Sequence, residues 1–184
     1  MGFHREPFKK DGLITRDRAI LFGMVLLGLG FFFYAQGNAL AALAKADKVV
    51  VIKSKRMLML MKDGEIFKAY RIALGKNPEG RKIKVGDQRT PEGSYVIDSR
   101  NAKSKFYLAI HISYPNETDI SNAQKLGVSP GGSIMIHGLP NGFARVDKFH
   151  RVQDWTDGCI AVTNAEMEEI WEYVPDGTPI EIKP

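Results

Sequence analysis

Short apolar runs follow one another from residue 49 to the C-terminus, with turn residues between them. Runs that are continuous or that alternate with polar residues predict β-strands, and the Asp63-Gly64 pair between two runs predicts a hairpin. The predicted strands cover residues 49–52, 57–61, 66–74, 94–99, 106–114, 133–137 and 179–183. Long loops at 75–93 and 138–158 separate them, and such loops in a compact domain are typically functional. The pattern therefore predicts a mainly β domain.

Helical periodicity occurs twice in the same part of the chain. Residues 118–127 predict a short helix that ends at Gly127. Thr163 and Glu166 predict a capping box at the start of a second helix. The apolar residues that then recur at helical spacing are Met167, Ile170, Trp171 and Val174. We expect this helix to pack on the sheet, with Cys159 only a few residues before its start.

A run without charged residues, 19–35, follows a basic stretch near the N-terminus. It is longer than the usual apolar core of a signal peptide and at the lower edge of the length that spans a bilayer. Small-x-small sites ending at Ala41 and Ala44 favour cleavage after export, and a retained anchor stays open. Because the Lys/Arg excess precedes the run, both interpretations place the rest of the chain outside the cytoplasm. We therefore expect residues 1–44 to be a signal peptide or membrane anchor, and 45–184 to be a domain of the periplasm or cell envelope.

Charge and composition exclude some function classes. With 44% hydrophobic and 26% charged residues, the chain fits a globular protein better than a disordered one or a disulfide scaffold. The net charge is +5, of which the first eighteen residues contribute +2. The remaining excess is too small for nucleic-acid binding, which calls for a clustered basic surface with interleaved aromatic residues.

Cys159 is the only cysteine of the chain. In an exported protein a single cysteine indicates a thiol kept for reactivity or for an intermolecular bridge. A nucleophilic thiol needs a base, usually histidine. His4 precedes the apolar run, His111 lies within a predicted strand and His150 within a long loop. His137 is the favoured base because the end of a strand holds a side chain rigidly.

Two ordered motifs resemble the L,D-transpeptidase catalytic domain family, also called YkuD-type. "IMIHG" (134–138) followed by "TDGCI" (156–160) is similar to the family's HG…[S/T]xGC signature. "VGDQRTPEGSYVI" (85–97) is similar to its upstream GDx[RK]TPxGx[FY] segment. The resemblance covers about residues 49–182. It implies a β-rich, sandwich- or barrel-like fold with one or two short helices and an enzyme that acts on peptidoglycan stem peptides.

The matching positions imply a role for each residue of the motif. Cys159 would be the nucleophile and His137 the general base, with the Gly138 carbonyl orienting the imidazole. Backbone N–H groups of Asp157, Gly158 and Cys159 would form the oxyanion hole. The thiolate would attack an L,D peptide bond, His137 would protonate the leaving amine, and an amine or water would take the acyl group. This chemistry implies no cofactor and no metal.

Two positions depart from the family's pattern. Asp157 stands where a second histidine is common, and Ala161 stands where an arginine is common. A carboxylate at 157 could oppose thiolate formation and alter the substrate pocket. "GCIAVTN" (158–164) and "ISYPN" (112–116) are similar to a sub-branch that includes enzymes releasing outer-membrane lipoprotein from peptidoglycan. Hydrolysis, as an L,D-carboxypeptidase or a peptidoglycan–lipoprotein amidase, therefore stays open beside transpeptidation.

The implied substrate is a stem peptide with a diaminoacyl residue, whose free carboxylate needs a cationic anchor. The expected anchors are Arg81, Arg89 and Arg145, with Lys82 and Arg100 as further candidates in or near the long loops. Trp155 is the aromatic residue expected nearest to the substrate. A wall-linked lipoprotein is a further possible partner.

Three other interpretations of Cys159 remain. The thiol could be an inert core residue, as many free cysteines are. Zinc binding with His137 and either His150 or Asp157 lacks paired ligand spacing. A non-catalytic wall-binding module is favoured by the changes at 157 and 161 and disfavoured by the retained cysteine, histidine and glycines. A measurement of thiol reactivity distinguishes a catalytic cysteine from a non-catalytic wall-binding module.

Overall fold

The computed structural model describes residues 1–2, 45–143 and 149–184. Its contacts divide the chain into two units, Met1–Leu43 and Ala44–Pro184, and the second contains the described strands and helices. The apolar run at 19–35 and Arg145 lie outside the described residues. Within the described ranges, no helix is long and apolar enough to cross a bilayer.

Strands dominate the described domain, as the alternation predicts. The strands are β1 (Lys48–Ile52), β2 (Met57–Lys62), β3 (Glu65–Arg71), β4 (Gly93–Ser104), β5 (Tyr107–Ile112), β6 (Met135–His137), β7 (Ile160–Ala161) and β8 (Pro179–Lys183). The helices are α1 (Glu117–Lys125) and α2 (Asn164–Tyr173), and a 3₁₀ turn covers Phe149–Arg151. The prediction of a mainly β fold with two short helices is confirmed.

The strands form one sheet that closes on itself. Its order is β3-β2-β1-β8-β4-β5-β6-β7, with parallel pairing only between β1 and β8 and between β6 and β7 among the described strands. Beyond β3, Ala73 and Ala161 each donate a backbone N–H to the carbonyl of the other at 2.9 Å. This exchange joins the two edges of the sheet as in a barrel. The closing point lies two residues from Cys159.

Alternate residues of the strands fill the interior. Val49 and Val51 of β1 and Leu58 and Leu60 of β2 are fully buried, as the side-chain period of a strand requires. The predicted stripe of α2 covers one side of this core: Met167, Ile170 and Val174 are buried, and Trp171 is packed against them. The Thr163–Glu166 capping box is present. Burial of this apolar face fixes the position of α2. It therefore also fixes the end of the preceding segment, which carries Cys159.

Arg100 belongs to this packing and not to a substrate site. Its guanidinium donates to the carbonyls of Trp171 and Val174 and to the Asp176 carboxylate. It also lies 4.9 Å from the centroid of the Trp171 ring. A cation at the C-terminal end of a helix stabilises the unpaired carbonyls there.

Lys53, directly after β1, ties the long loop 75–93 to the sheet. Its side chain is buried, and Nζ donates to the Gly80 carbonyl at 2.6 Å, to the Thr90 carbonyl at 2.9 Å and to the Glu92 carboxylate at 2.7 Å. Burial lowers the pKa of Lys53, and the bond to Glu92 opposes that effect. The three ammonium protons of Lys53 therefore hold the loop 75–93 in place. Other residues of this loop line the candidate active site.

Replacing Lys53 by alanine is expected to lower the free energy of unfolding by about 3 kcal/mol, because Glu92 and two carbonyls lose a buried partner. Lys48→Ala is the matched control, since its ion pair with Glu181 lies on side chains that are 44% and 31% exposed. The control should cost less than about 1 kcal/mol. Urea unfolding of both variants measures the difference. Equal losses would contradict a clamping role for Lys53.

Candidate active site

Two neighbouring parallel strands bring His137 and Cys159 to one face of the sheet. In the register of β6 and β7, Ile136 lies opposite Ile160 and His137 opposite Ala161. Side chains alternate along a strand, so Cys159, two residues before Ala161, points to the same side as His137. Ile136 and Ile160 are fully buried on the other side. The two motif residues, 22 positions apart in the chain, are thus brought together on neighbouring strand segments.

The His137 ring is fixed in orientation and tautomer. Its Nδ1 lies 2.7 Å from the Gly138 carbonyl, which can only accept, so Nδ1 carries the proton and Nε2 the lone pair. The Phe106 ring packs 4.5 Å away and the Trp155 ring 5.7 Å away, centroid to centroid. Gly138 lets the end of β6 approach the start of α2, since a Cβ there would lie 2.6 Å from Asn164 Oδ1. The imidazole is therefore held ready to accept a proton at Nε2.

The Cys159 thiol is partly covered, and its surroundings favour the protonated form. Burial raises the pKa of the thiol and the Asp157 carboxylate adds to that effect, while a hydrogen bond from the Met135 N–H and the charge of Lys82 oppose it. The sulfur also lies 3.7 Å from the Ser133 carbonyl. Burial likewise lowers the pKa of His137. Both shifts favour the neutral forms, so we expect a neutral thiol and a neutral imidazole in the resting site.

Thr156 shapes the turn that presents the thiol. Its buried hydroxyl donates to the Cys159 carbonyl at 2.7 Å and accepts the Gly158 N–H at 3.1 Å. Gly158 has φ +132°, and a Cβ there would lie 2.7 Å from the Arg89 carbonyl. The N–H groups of Asp157 and Cys159 have no acceptor within the described part of the chain. The turn thus leaves two backbone donors next to the sulfur.

Gly158→Ala is expected to lower kcat/KM by about a hundredfold, because the turn must move away from the Arg89 carbonyl and displacements near 1 Å cost that much. Gly64→Ala is the matched control: it also has positive φ, but a Cβ there meets nothing within 4 Å. Both variants should lose about 1 kcal/mol of stability from backbone strain. Steady-state kinetics of the two variants test this, and an active Gly158→Ala enzyme would contradict it.

A cleft of about 440 Å³ opens beside the thiol. Its walls come from the loop 75–93, the segment before β6 and the Thr156–Cys159 turn. The lining residues are Lys82, Val85, Gly86, Gln88, Gly131, Gly132, Ser133, Ile134, Asp157 and Cys159. Among these residues Lys82 is buried and pairs with Asp87 at 2.7 Å. The lining therefore contains one cation and one anion, Lys82 and Asp157.

The predicted substrate-binding residues do not line this cleft. Arg81 points to the Asp119 carboxylate at 3.4 Å, and Arg89 donates to the Arg81 carbonyl at 3.4 Å. Trp155 packs against His137, as described above. Arg145 lies outside the described residues. Substrate binding by these four residues stays a prediction.

Three features of the site were not predicted. Lys76 and Gln88 contact Asp157, Phe106 packs on His137, and the glycine-rich segment 129–133 forms a wall of the cleft. The Gly131-Gly132 pair before an apolar run is the sequence feature that could have indicated this wall of the cleft. Across the described ranges, no cluster of three or more His, Cys, Asp or Glu side chains is placed to hold a metal ion.

Comparisons with known proteins identify the family of the chain. The model of the YkuD family, the L,D-transpeptidase catalytic domain, matches residues 46–182. YafK of Escherichia coli K12, named as a candidate L,D-transpeptidase, is 30% identical over 132 residues, which cover 68% of this chain and 46% of YafK. The chain thus spans about half the length of that curated relative.

Two solved structures share the fold. The helical cell shape determining protein Pgp2 of Campylobacter jejuni is 28% identical with a TM-score of 0.57, over 74% of this chain and 48% of Pgp2. Bd1075 of Bdellovibrio bacteriovorus is 25% identical with a TM-score of 0.50, over 73% of this chain and 46% of Bd1075. Because the family model spans most of the sequence and includes both motifs, the chain belongs to the L,D-transpeptidase catalytic domain family.

Proposed function

We propose that the domain transfers acyl groups of peptidoglycan stem peptides as an L,D-transpeptidase, with Cys159 as nucleophile and His137 as general base. The observation that carries this proposal is the placement of both side chains on one face of β6 and β7, with the imidazole proton held on Nδ1 by Gly138. An inert thiol would not need an open cleft beside it.

The neutral resting pair defines the first step. His137 Nε2 takes the thiol proton as the sulfur attacks the carbonyl carbon of the L,D bond. Negative charge then develops on the carbonyl oxygen. The N–H groups of Asp157 and Cys159 are the proposed donors to it, because the Gly158 N–H is engaged by the Thr156 hydroxyl. Gly158 contributes the backbone conformation of the turn.

Collapse of the intermediate breaks the C–N bond. The leaving amine receives the proton from His137, and the acyl group stays on sulfur as a thioester. An acceptor amine or water then gives up a proton to Nε2 and displaces the sulfur, and the imidazolium returns that proton to the thiolate to restore the resting site. The Lys82 ammonium, which lines the cleft, favours the negative charge that develops on the sulfur as it attacks and again as it is displaced.

Hydrolysis of the same thioester is the second candidate. The similarity of residues 158–164 and 112–116 to the lipoprotein-releasing sub-branch favours it. In that case the products are trimmed stems or free lipoprotein instead of new cross-links. The proposed setting for either reaction is the periplasm, reached through residues 1–44 as signal peptide or anchor, and the likeness to Pgp2 supports a role in cell shape.

The test is mass spectrometry of muropeptides from sacculi, some carrying bound lipoprotein, after incubation with the full chain. One sample is first alkylated with iodoacetamide, which reaches a single thiol because the chain has one cysteine. New cross-links with loss of terminal D-alanine identify a transpeptidase, and released lipoprotein or trimmed stems identify a hydrolase. Identical products from alkylated and untreated protein would contradict the proposal and support a wall-binding module.

A further inference from the structure

Asp157 is an ionised carboxylate held in place at the cleft beside the nucleophile. Its Oδ1 accepts from Lys76 Nζ at 3.0 Å and from Gln88 Nε2 at 3.2 Å. These bonds lower the pKa of Asp157. The carboxylate is therefore charged and oriented throughout the neutral range.

The second oxygen of the same carboxylate is available to a ligand. Oδ2 accepts no hydrogen bond from the residues of the described ranges, and the side chain is 80% exposed. The pair with Lys76 lies in solvent, where exposed ion pairs contribute little to stability. An incoming cation can thus bind Oδ2 without first breaking a buried contact.

The position of Asp157 limits what such a cation can be. Two residues of chain span at most about 7 Å, so the carboxylate lies within the reach of a diaminoacyl side chain whose backbone carbonyl is at Cys159. The other charged group that lines the cleft, Lys82, has the opposite sign and is nearly buried against Asp87. An ammonium group in the cleft is therefore repelled by Lys82 and attracted by Asp157.

We propose that Asp157 binds the free side-chain ammonium of the diaminoacyl residue in the donor stem peptide, and so selects donors that carry a cationic amine. The proposal rests on the proposed function, because it assigns a substrate group to the same cleft. It also gives a role to the carboxylate that replaces the family's common histidine. The acceptor amine is the alternative source of an ammonium, and it is absent from the first half-reaction.

The test measures that half-reaction alone, as release of D-alanine from a synthetic tetrapeptide stem. Two peptides are compared, one with a free side-chain amine on the diaminoacyl residue and one with that amine acetylated. The proteins are the wild-type full chain, D157N and D63N. Asp63 is a matched control because it is an exposed carboxylate with a lysine 3.7 Å away, on the β2–β3 turn.

For the wild type and D63N, acetylation is expected to lower kcat/KM about tenfold or more, the usual effect of losing a charged hydrogen bond. For D157N the loss should be less than about threefold, since the ammonium has already lost its partner. Alkylation of Cys159 in D157N should be at least as fast as in the wild type, which shows an intact site. Equal losses on acetylation in wild type and D157N, or none in the wild type, would overturn the inference while leaving the proposed function standing. No release of D-alanine from either peptide by the wild type would overturn both.

Discussion

Replacing Cys159 by alanine is expected to lower D-alanine release and cross-link formation by at least about 10⁴-fold, because loss of a covalent nucleophile removes the whole thioester route. The fold should persist, since the thiol makes only weak sulfur contacts, to the Ser133 carbonyl at 3.7 Å and to the Met135 N–H. We expect the free energy of unfolding to change by less than about 1 kcal/mol. Muropeptide analysis and urea unfolding of the same preparation measure the two effects.

Cys159→Ser separates loss of the nucleophile from loss of shape. The hydroxyl fits the same space, but a neutral imidazole activates an alcohol far less readily than a thiol. Activity below one hundredth of the wild type is therefore expected for serine as well. A Cys159→Ala protein that keeps a tenth of the activity would place the nucleophile elsewhere.

Replacing His137 by glutamine is expected to lower kcat/KM by about 10³-fold, the usual contribution of a positioned general base. Glutamine can keep a hydrogen bond to the Gly138 carbonyl. Its amide is too weakly basic to accept the thiol proton. The variant should therefore still bind substrate, with the loss in kcat and little change in KM. Steady-state kinetics on the tetrapeptide stem measure this, and a change confined to KM would contradict it.

The pH dependence of the pair follows from burial. Because the pKa of His137 is lowered below its usual value of about 6.5, the base stays neutral and wild-type activity persists into mildly acidic solution. Because the pKa of Cys159 is raised above its usual value of about 8.5, alkylation should accelerate only above that pH. The same alkylation profile is expected for His137→Gln. Fast alkylation near pH 6 that disappears in the variant would show a preformed thiolate–imidazolium pair instead.

Elements set by local pattern were predictable. The β2–β3 turn at Asp63-Gly64, the capping box of α2 and its apolar stripe each depend on residues a few positions apart. β7 has only two residues and the second half of β4 is polar, so neither has a period to recognise. The closure of the sheet depends on Ala73 and Ala161, two small residues far apart in the chain whose pairing only the tertiary structure determines.

The candidate site also has one part that the sequence predicts and another that it does not. The sequence predicts Cys159 and His137 as the catalytic pair because the family's motif contains both, each beside a glycine, and these roles stay a prediction. The partners of the basic residues could not be predicted, because a cation in a loop can face either a substrate or the protein. Arg100 binds the end of α2 and Arg81 binds Asp119, whereas Lys82 lies in the cleft. The hydroxyl clamp of Thr156 and the contacts to Asp157 arise where separate loops meet, which spacing alone does not reveal.

The central claim is that Cys159 carries the acyl group. Intact-protein mass spectrometry of the full chain, acid-quenched during turnover of the tetrapeptide stem, tests it directly. We predict a mass gain equal to the peptide without its terminal D-alanine, removable by hydroxylamine and located by digestion on the segment that contains Cys159. Steady product formation with no adduct, or an adduct of the same mass on the Cys159→Ala protein, would contradict it.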